Sequence, residues 1–266
     1  MSDWDAAQYH KLSDPQREWG LRVLERLAPQ PGEMILDIGC GTGRLTSRLR
    51  ADAWARLRAD ASARRAVRVV ALDHSAAMLR EGRAHFGSRI HFVQADGVRL
   101  PFDDRSFDAV LSTATFHWIK DHETLFSEIH RVLKPGGRLV SQCGGGPNLQ
   151  MLYRRARALR ASRAYAPYFA GWSDPWNFAS VEETERRMAT AGFHDIEVAL
   201  EPARTPFPDV RSYEAFVTTV CLRHHLEKLP EDLRHPFVQE LALAAAADDP
   251  PLTLDYWRLN ADARRA

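Results

Sequence analysis

Met34-Ile35-Leu36-Asp37-Ile38-Gly39-Cys40-Gly41-Thr42-Gly43 is the stretch whose reading decides the fold. A short apolar run ends in a turn with three glycines in five residues. Helical periodicity opens behind it, through Leu45, Leu49 and Trp54 to about Arg58. Glycines at such a turn let the backbone take positive φ and pass close to a ligand. The free N–H groups at the start of the following helix favour an anionic group. A glycine turn alone is a weak signal, because any tight turn uses glycine. Two acidic strand ends strengthen it. The β-branched run 67–72 ends at Asp73, where a carboxylate is placed to accept from a ribose diol. The run 90–93 leads into Gln94-Ala95-Asp96-Gly97, which supplies the second acid.

Spacing separates two kinds of cofactor. A dinucleotide fingerprint needs G-x-G-x-x-G; Gly39 and Gly41 fit it, but Arg44 occupies the sixth position. The chain instead has G-x-G-x-G preceded by Asp37, together with the acid at Asp96.

Working outward, residues 14–28 read as a helix with Pro15 in its first turn, ended by Pro29 and Pro31-Gly32. Residues 75–86 form another, with Ser75 as N-cap. A fourth strand spans 107–111, a helix about 121–133, and a fifth strand 138–142 after the breaker Lys134-Pro135-Gly136-Gly137. Strands and helices alternating at this spacing predict a parallel sheet with crossover helices on both faces. After Gly144-Gly145-Gly146-Pro147 the rhythm changes. Residues 149–165 read as helical and are followed by an aromatic loop containing Trp172, Trp176 and Phe178. A capped helix at 181–191, a strand at 195–200, helical segments over 209–247 and a last strand at 252–263 complete the chain. That last strand is expected to pair antiparallel beside 195–200, with the helical stretch between them as an insertion over one end of the sheet.

Composition excludes several classes. The 266 residues are 45% hydrophobic and 27% charged, an ordinary globular balance. No apolar run reaches the ~18 residues of a membrane span, and the start Met1-Ser2-Asp3-Trp4-Asp5 has no signal pattern. A net charge of +1 supplies no field toward nucleic acid or membrane. Cys40, Cys143 and Cys221 are odd in number and far apart, which suits a reducing cytoplasm and forms no disulfide or metal framework. The basic residues are 32 Arg and 4 Lys. Runs such as Arg154-Arg155-Ala156-Arg157 read first as solvated helix faces, with an anion site as the alternative.

Asp37 to Gly43 resembles motif I of the class I S-adenosylmethionine (SAM)-dependent methyltransferases. Asp73-His74-Ser75-Ala76-Ala77-Met78-Leu79 is similar to their second motif, and Gln94-Ala95-Asp96 to the third. Val132-Leu133-Lys134-Pro135-Gly136-Gly137-Arg138-Leu139 matches the turn before their fifth strand. The resemblance is strong over about 30–142. Weaker similarity from Trp4 to Gln16 and in the later segments points to the methyltransferase type 11, trans-aconitate methyltransferase-like branch. Asp73 follows Gly43 by 30 residues, against about 20 in ordinary nucleotide-binding units, a surplus assigned to an Arg/Ala-rich stretch from Arg50 to Arg65.

The resemblance implies a doubly wound α/β fold: a mostly parallel seven-stranded sheet with an antiparallel last strand. It implies one methyltransferase domain over 1–266, with a SAM-binding core at 30–146 and acceptor-side insertions at 147–180 and 205–250. It also implies SAM as cofactor and S-adenosylhomocysteine (SAH) as product. Gly39, Cys40 and Gly41 then run along the amino-acid half of SAM, with Asp37 supporting the turn or meeting the ammonium. Asp73 takes the ribose hydroxyls, His74 and Met78 flank the adenine, and Asp96 with Gly97 reads its edge. Ser112 sits by the methionine moiety, and Tyr9 and Gln16 close the pocket.

The acceptor is read from chemistry. Methyl transfer from a sulfonium is an in-line displacement, and a base is needed only when the nucleophile carries a proton. Ser112-Thr113-Ala114-Thr115-Phe116-His117-Trp118 lacks the Asn/Asp-Pro-Pro-aromatic pattern of nitrogen methylators. His117 is the candidate base or acceptor-orienting residue, with a structural histidine as its alternative. Trp118, Trp172 and Trp176 are candidate acceptor walls or core residues, and Arg154, Arg155 or Arg157 a candidate cation for an acid. His224-His225 has no partner at ligand spacing, so no metal is expected. The expectation is a cytoplasmic methyltransferase of a small molecule, a carboxylic acid first, without nucleic acid or membrane as partner. A non-catalytic SAM-binding protein, an RNA or protein methyltransferase and an NAD-dependent reductase remain open.

Overall fold

The computed structural model describes residues 14–50 and 66–266, with the backbone alone for 14–18. Helix α1 (Asp14–Leu27) leads into β1 (Met34–Ile38), the glycine turn and α2, helical from residue 44 to 50. Then follow β2 (Arg68–Asp73), α3 (Ala76–Phe86), β3 (His91–Gln94), β4 (Phe107–Thr113), α4 (His122–Val132) and β5 (Leu133–Gly144). The second half contains α5 (Gln150–Arg160), α6 (Val181–Thr190), β6 (Phe193–Pro202), β7 (Thr205–Pro206), α7 (Val210–Phe216), α8 (Arg223–Leu226), α9 (Glu231–Ala246), β8 (Thr253–Leu254) and β9 (Trp257–Arg265).

The sheet order is β3-β2-β1-β4-β5-β9-β6. β1 pairs parallel with β2, Met34 opposite Arg68, and parallel with β4, Ile35 opposite Ala109. β9 inserts between β5 and β6 and runs antiparallel to both. The central strands read as near-continuous apolar runs because both of their faces are covered. Ile35, Val69 and Ala109 meet Val23, Leu24 and Leu27 of α1 on one face. Leu36, Ile38 and Val110 meet Leu125, Phe126 and Ile129 of α4 on the other. Ser75 caps α3 by accepting from the Met78 N–H, and Asp121 caps α4 by accepting from the Thr124 N–H.

Several boundaries differ from expectation. β5 begins at Leu133, because Leu133 pairs with Phe107 before a kink with Gly136 at φ +74° lets pairing resume at Ala109 opposite Arg138. α5 ends at Arg160, where the N–H groups of residues 161 and 162 turn back to carbonyls three residues earlier. The last strand divides: Thr253 and Leu254 pair with β7 in a separate two-stranded sheet, and only β9 joins the main one. The 209–247 stretch breaks into three helices with a π-helical turn at Val217–Cys221. These helices share a core with α5, in which Leu152, Tyr213, Phe216, Phe237 and Leu241 are buried together. The expected Arg/Ala-rich surplus lies mostly at 51–65, outside the described residues. Among the described residues no helix is long and apolar enough to cross a membrane.

Candidate active site

β1 and β4 are neighbours in the sheet, yet the chain leaves them toward opposite sides, β1 to β2 and β4 to β5. The loops beyond their carboxyl ends therefore diverge and leave a crevice, where ligands bind in open α/β sheets. A cleft of about 870 Å³ opens there. The carboxyl ends of β1, β2, β3 and β4 all contribute to it, through Gly39, Asp73, Asp96 and Thr113.

The glycine turn is held from below. The Gly39 and Cys40 N–H groups both donate to the Leu72 carbonyl, at 2.7 and 3.0 Å. Gly39 and Gly41 have φ of +75° and +56°, the left-handed region that a side chain resists. A Cβ on Gly39 would overlap the Thr115 side chain, whereas one on Gly41 would meet nothing within 4 Å. Gly41 thus presents bare backbone to the cleft. Asp73 Oδ2 accepts from the Gly41 N–H at 2.8 Å, and Oδ1 from the Ser75 N–H at 2.8 Å.

Of the residues expected to hold the cofactor, Gly39, Gly41, Asp73, His74, Met78, Asp96 and Gly97 line this cleft together. Three do not. Asp37 is buried beneath the turn, where its Oδ2 accepts from Thr46 Oγ1 at 2.6 Å. Burial, with Asp73 nearby, pushes its carboxyl up to about 7 despite that bond. Cys40 packs behind the turn against the cluster of Ala71, Leu79, Ile90 and Phe92. Ser112 donates its hydroxyl to the Ile38 carbonyl at 2.8 Å, stitching β4 to β1, and residues 113–115 form the wall in its place. Tyr9 and the Gln16 side chain lie outside the described residues.

The acceptor-side expectations need more correction. Trp118 lines the cleft, but His117 does not. His117 is buried, and its Nδ1 accepts from the Gly144 N–H at 3.2 Å. Burial holds its pKa well below the ordinary value, with Arg258 adding to the effect. The ring is therefore neutral, with its proton on Nε2. Trp172 and Trp176 line neither the cleft nor the smaller cavity beside it. Trp176 stacks on Tyr153 at 4.0 Å, and Trp172 meets the buried His225 ring edge-on at 4.9 Å, so both serve packing. The arginines of α5 are spent elsewhere: Arg155 pairs with Asp248 and Arg157 with Asp174, while Arg154 reaches Met151 Sδ at 3.4 Å on the surface.

Sequence reasoning missed His224, which lines the cleft and packs on Trp118 with ring centroids 5.3 Å apart. In the sequence, its place beside His225 suggests only a metal ligand. Among the described residues no group of three metal-ligating side chains exists. The cleft's bare glycine backbone and two acidic strand ends fit an adenosine with an amino-acid tail.

Residues 36–141 match the methyltransferase domain family. The chain is a class I SAM-dependent methyltransferase. It is 28% identical over 262 residues to a trans-aconitate 2-methyltransferase of Methylobacterium radiotolerans, covering 94% of this chain and 92% of that one. It is 38% identical over 124 residues to a demethylmenaquinone methyltransferase of Clavibacter sepedonicus, covering 46% of this chain and 45% of that one. Among solved structures, the YcgJ protein of Bacillus subtilis aligns with a TM-score of 0.62 at 15% identity, over 94% of this chain and 98% of that one, a likeness of fold. SAM supplies this methyltransferase with an electrophilic methyl group on a sulfonium.

Proposed function

We propose that the methyltransferase transfers the SAM methyl group to a carboxylate of a small organic acid. One C–S bond breaks and one C–O bond forms, the sulfonium becomes the thioether of SAH, and no proton has to leave the acceptor. The observation that carries this reading is the span of the similarity. The trans-aconitate 2-methyltransferases of Methylobacterium radiotolerans, Azoarcus sp. and Variovorax paradoxus align over 94%, 89% and 90% of this chain. That span runs far beyond the 36–141 match that carries the cofactor motifs, into the segments at 147–180 and 205–250, to which we assign the acceptor side.

In this reading Asp73 holds the ribose hydroxyls, Asp96 and Gly97 the adenine edge, with His74 and Met78 at its faces. The Gly39–Gly41 backbone takes the amino-acid half. Positioning and exclusion of water supply the rate, as suits a displacement without proton transfer. The test is transfer from labelled SAM to a panel of di- and tricarboxylic acids, with products identified by mass spectrometry. Methyl ester on an acid is the expected product. Transfer to tRNA or to a protein lysate, with no product across the acids, overturns the reading.

A further inference from the structure

A second cavity, of about 40 Å³, lies beside the cleft and shares Ala114 and Trp118 with it. His117 and Asn148 stand in its wall, 9% and 4% exposed. Each has one polar atom committed. His117 Nδ1 accepts from the Gly144 N–H at 3.2 Å, which leaves Nε2 as the N–H donor. Asn148 Oδ1 accepts from the Trp257 N–H at 2.9 Å, which orients the amide and leaves its NH₂ as a donor. Neither donor has a hydrogen-bond partner among the described residues. A buried donor without a partner is costly, so two beside one small cavity call for an oxygen that the chain itself does not supply.

The backbone is arranged around this space. Gly144 lets the pair approach, since a Cβ there would lie 2.7 Å from Asn148 Nδ2 and 2.9 Å from the Phe178 ring. It opens the Gly144-Gly145-Gly146 run with which β5 ends. Ala114 and Leu149, both lining the cavity, hold φ of +54° and +55°, a region that a side chain resists. Val220 and Cys221 reach it from the π-helical turn, a geometry that concentrates at functional sites. Burial, with the charge of Arg258 beside it, keeps the His117 ring neutral, so His117 offers a hydrogen bond and no charge. At roughly 10–15 Å³ per water-sized probe the cavity holds one carboxyl-sized group. It meets the cleft at Ala114. The next residue, Thr115, donates to the Gly39 carbonyl at 3.3 Å, so this corner adjoins the turn to which we assign the amino-acid half of SAM.

We propose that His117 and Asn148 orient the reacting carboxyl of the acceptor: their two N–H groups hold the oxygen that does not attack, and the other oxygen faces the cleft. The proposal rests on the reading of the chain as a carboxylate methyltransferase. The facing oxygen attacks the SAM methyl, and the C–O bond forms as the C–S bond breaks. The held oxygen becomes the carbonyl oxygen of the ester and still accepts from both donors. Holding one oxygen thus aims the other without any proton transfer.

The test is transfer from labelled SAM to trans-aconitate, succinate and crotonate, with SAH affinity by calorimetry and thermal melts alongside. Asn148→Asp keeps the acceptor for the Trp257 N–H and replaces the donor with an oxygen. His117→Asn keeps an acceptor for the Gly144 N–H, its Oδ1 standing where Nδ1 stood, and removes the donor. Each should lower kcat/KM by about 10- to 100-fold, the scale of a misplaced reacting group, while SAH affinity stays within about threefold. If one variant does not fold, the other carries the test. The donors grip the reacting group itself, so the factor should be alike for every acid that the wild type esterifies. A factor that varies more than about tenfold with the acid puts a remote group in the cavity and overturns the proposal. A fall in turnover that only parallels falls in Tm and SAH affinity overturns it too, as a structural role. The two readings fail separately. No ester from any acid with the wild type removes the carboxylate reading, and this assignment with it. Ester that both variants form within about threefold of the wild-type rate removes the orienting site and keeps the carboxylate reading.

Discussion

Asp73 Oδ2 sits 2.8 Å from the amide nitrogen of Gly41, 32 residues earlier in the chain. One carboxylate thus braces the glycine turn with one oxygen and α3 with the other, through the Ser75 N–H. The residue we assign to the ribose is also the residue that shapes the turn to which we assign the rest of the cofactor.

Asp73→Ala should weaken SAH binding by about 2–4 kcal/mol, since one to two charge-assisted hydrogen bonds at roughly 1.5–3 kcal/mol each are lost. That is on the order of 30- to 1000-fold in Kd by calorimetry. Less than a threefold change would remove Asp73 from the site. SAH should raise the Tm of the wild type by mass action, and NADH should not.

Asp37 gives a pH signature. Its pKa rises from 3.8 to about 7 on folding, chiefly through burial. The folded chain therefore holds a proton that the unfolded chain has released across that interval. By linkage, this group's contribution is fully present below pH 3.8, falls as pH rises to about 7, and is level above. Asp37→Asn, neutral throughout, lacks the fall. Its stability relative to wild type should therefore improve steadily from pH 4 to 7, by up to about 4 kcal/mol. Urea melts at pH 4.5 and pH 8 check this, and a variant-minus-wild-type stability that falls between the two would contradict it.

Gly39→Ala should be among the most damaging single-methyl additions in the chain. The new Cβ would enter the Thr115 side chain from a backbone at φ +75°. A loss of about 1–3 kcal/mol follows from strained backbone and overpacking together. Adding Thr115→Gly should recover the overlap part and leave the backbone part. A double variant no more stable than Gly39→Ala in thermal melts would mean the overlap is not the cause.

His224 faces the cleft, with its pKa lowered chiefly by burial, and its Nδ1 lies 3.6 Å from Glu227 Oε2. A carboxylate acceptor titrates near pH 4 and needs no base above pH 6. Turnover of wild type and His224→Gln should therefore show the same flat profile from pH 6 to 9, with kcat/KM lowered no more than about tenfold by lost contacts. A limb near neutrality that disappears in the variant would mean a nucleophile that carries a proton.

The cleft at the carboxyl ends of β1 to β4 was legible in the chain because local rules govern it. The positive φ values at Gly39 and Gly41 are demands of the turn itself, and Asp73 and Asp96 follow from strands ending where apolar runs end. Alternation of strand and helix fixes a parallel sheet, and parallel strands bury both faces, so 34–36 and 109–111 read as short continuous apolar runs. The segments after β5 obey no such rule. Arg154, Arg155 and Arg157 cluster in sequence, yet two of them are paired with Asp248 and Asp174, acids far along the chain. Arg258 near the start of the last strand reaches the interior only because β9 inserts between β5 and β6, bringing it beside Gly144, His117 and Asn148. Whether an arginine ends in a surface ion pair or in the interior depends on which distant groups surround it. Long-range strand order and packing decide that, and residue spacing along the chain does not encode it.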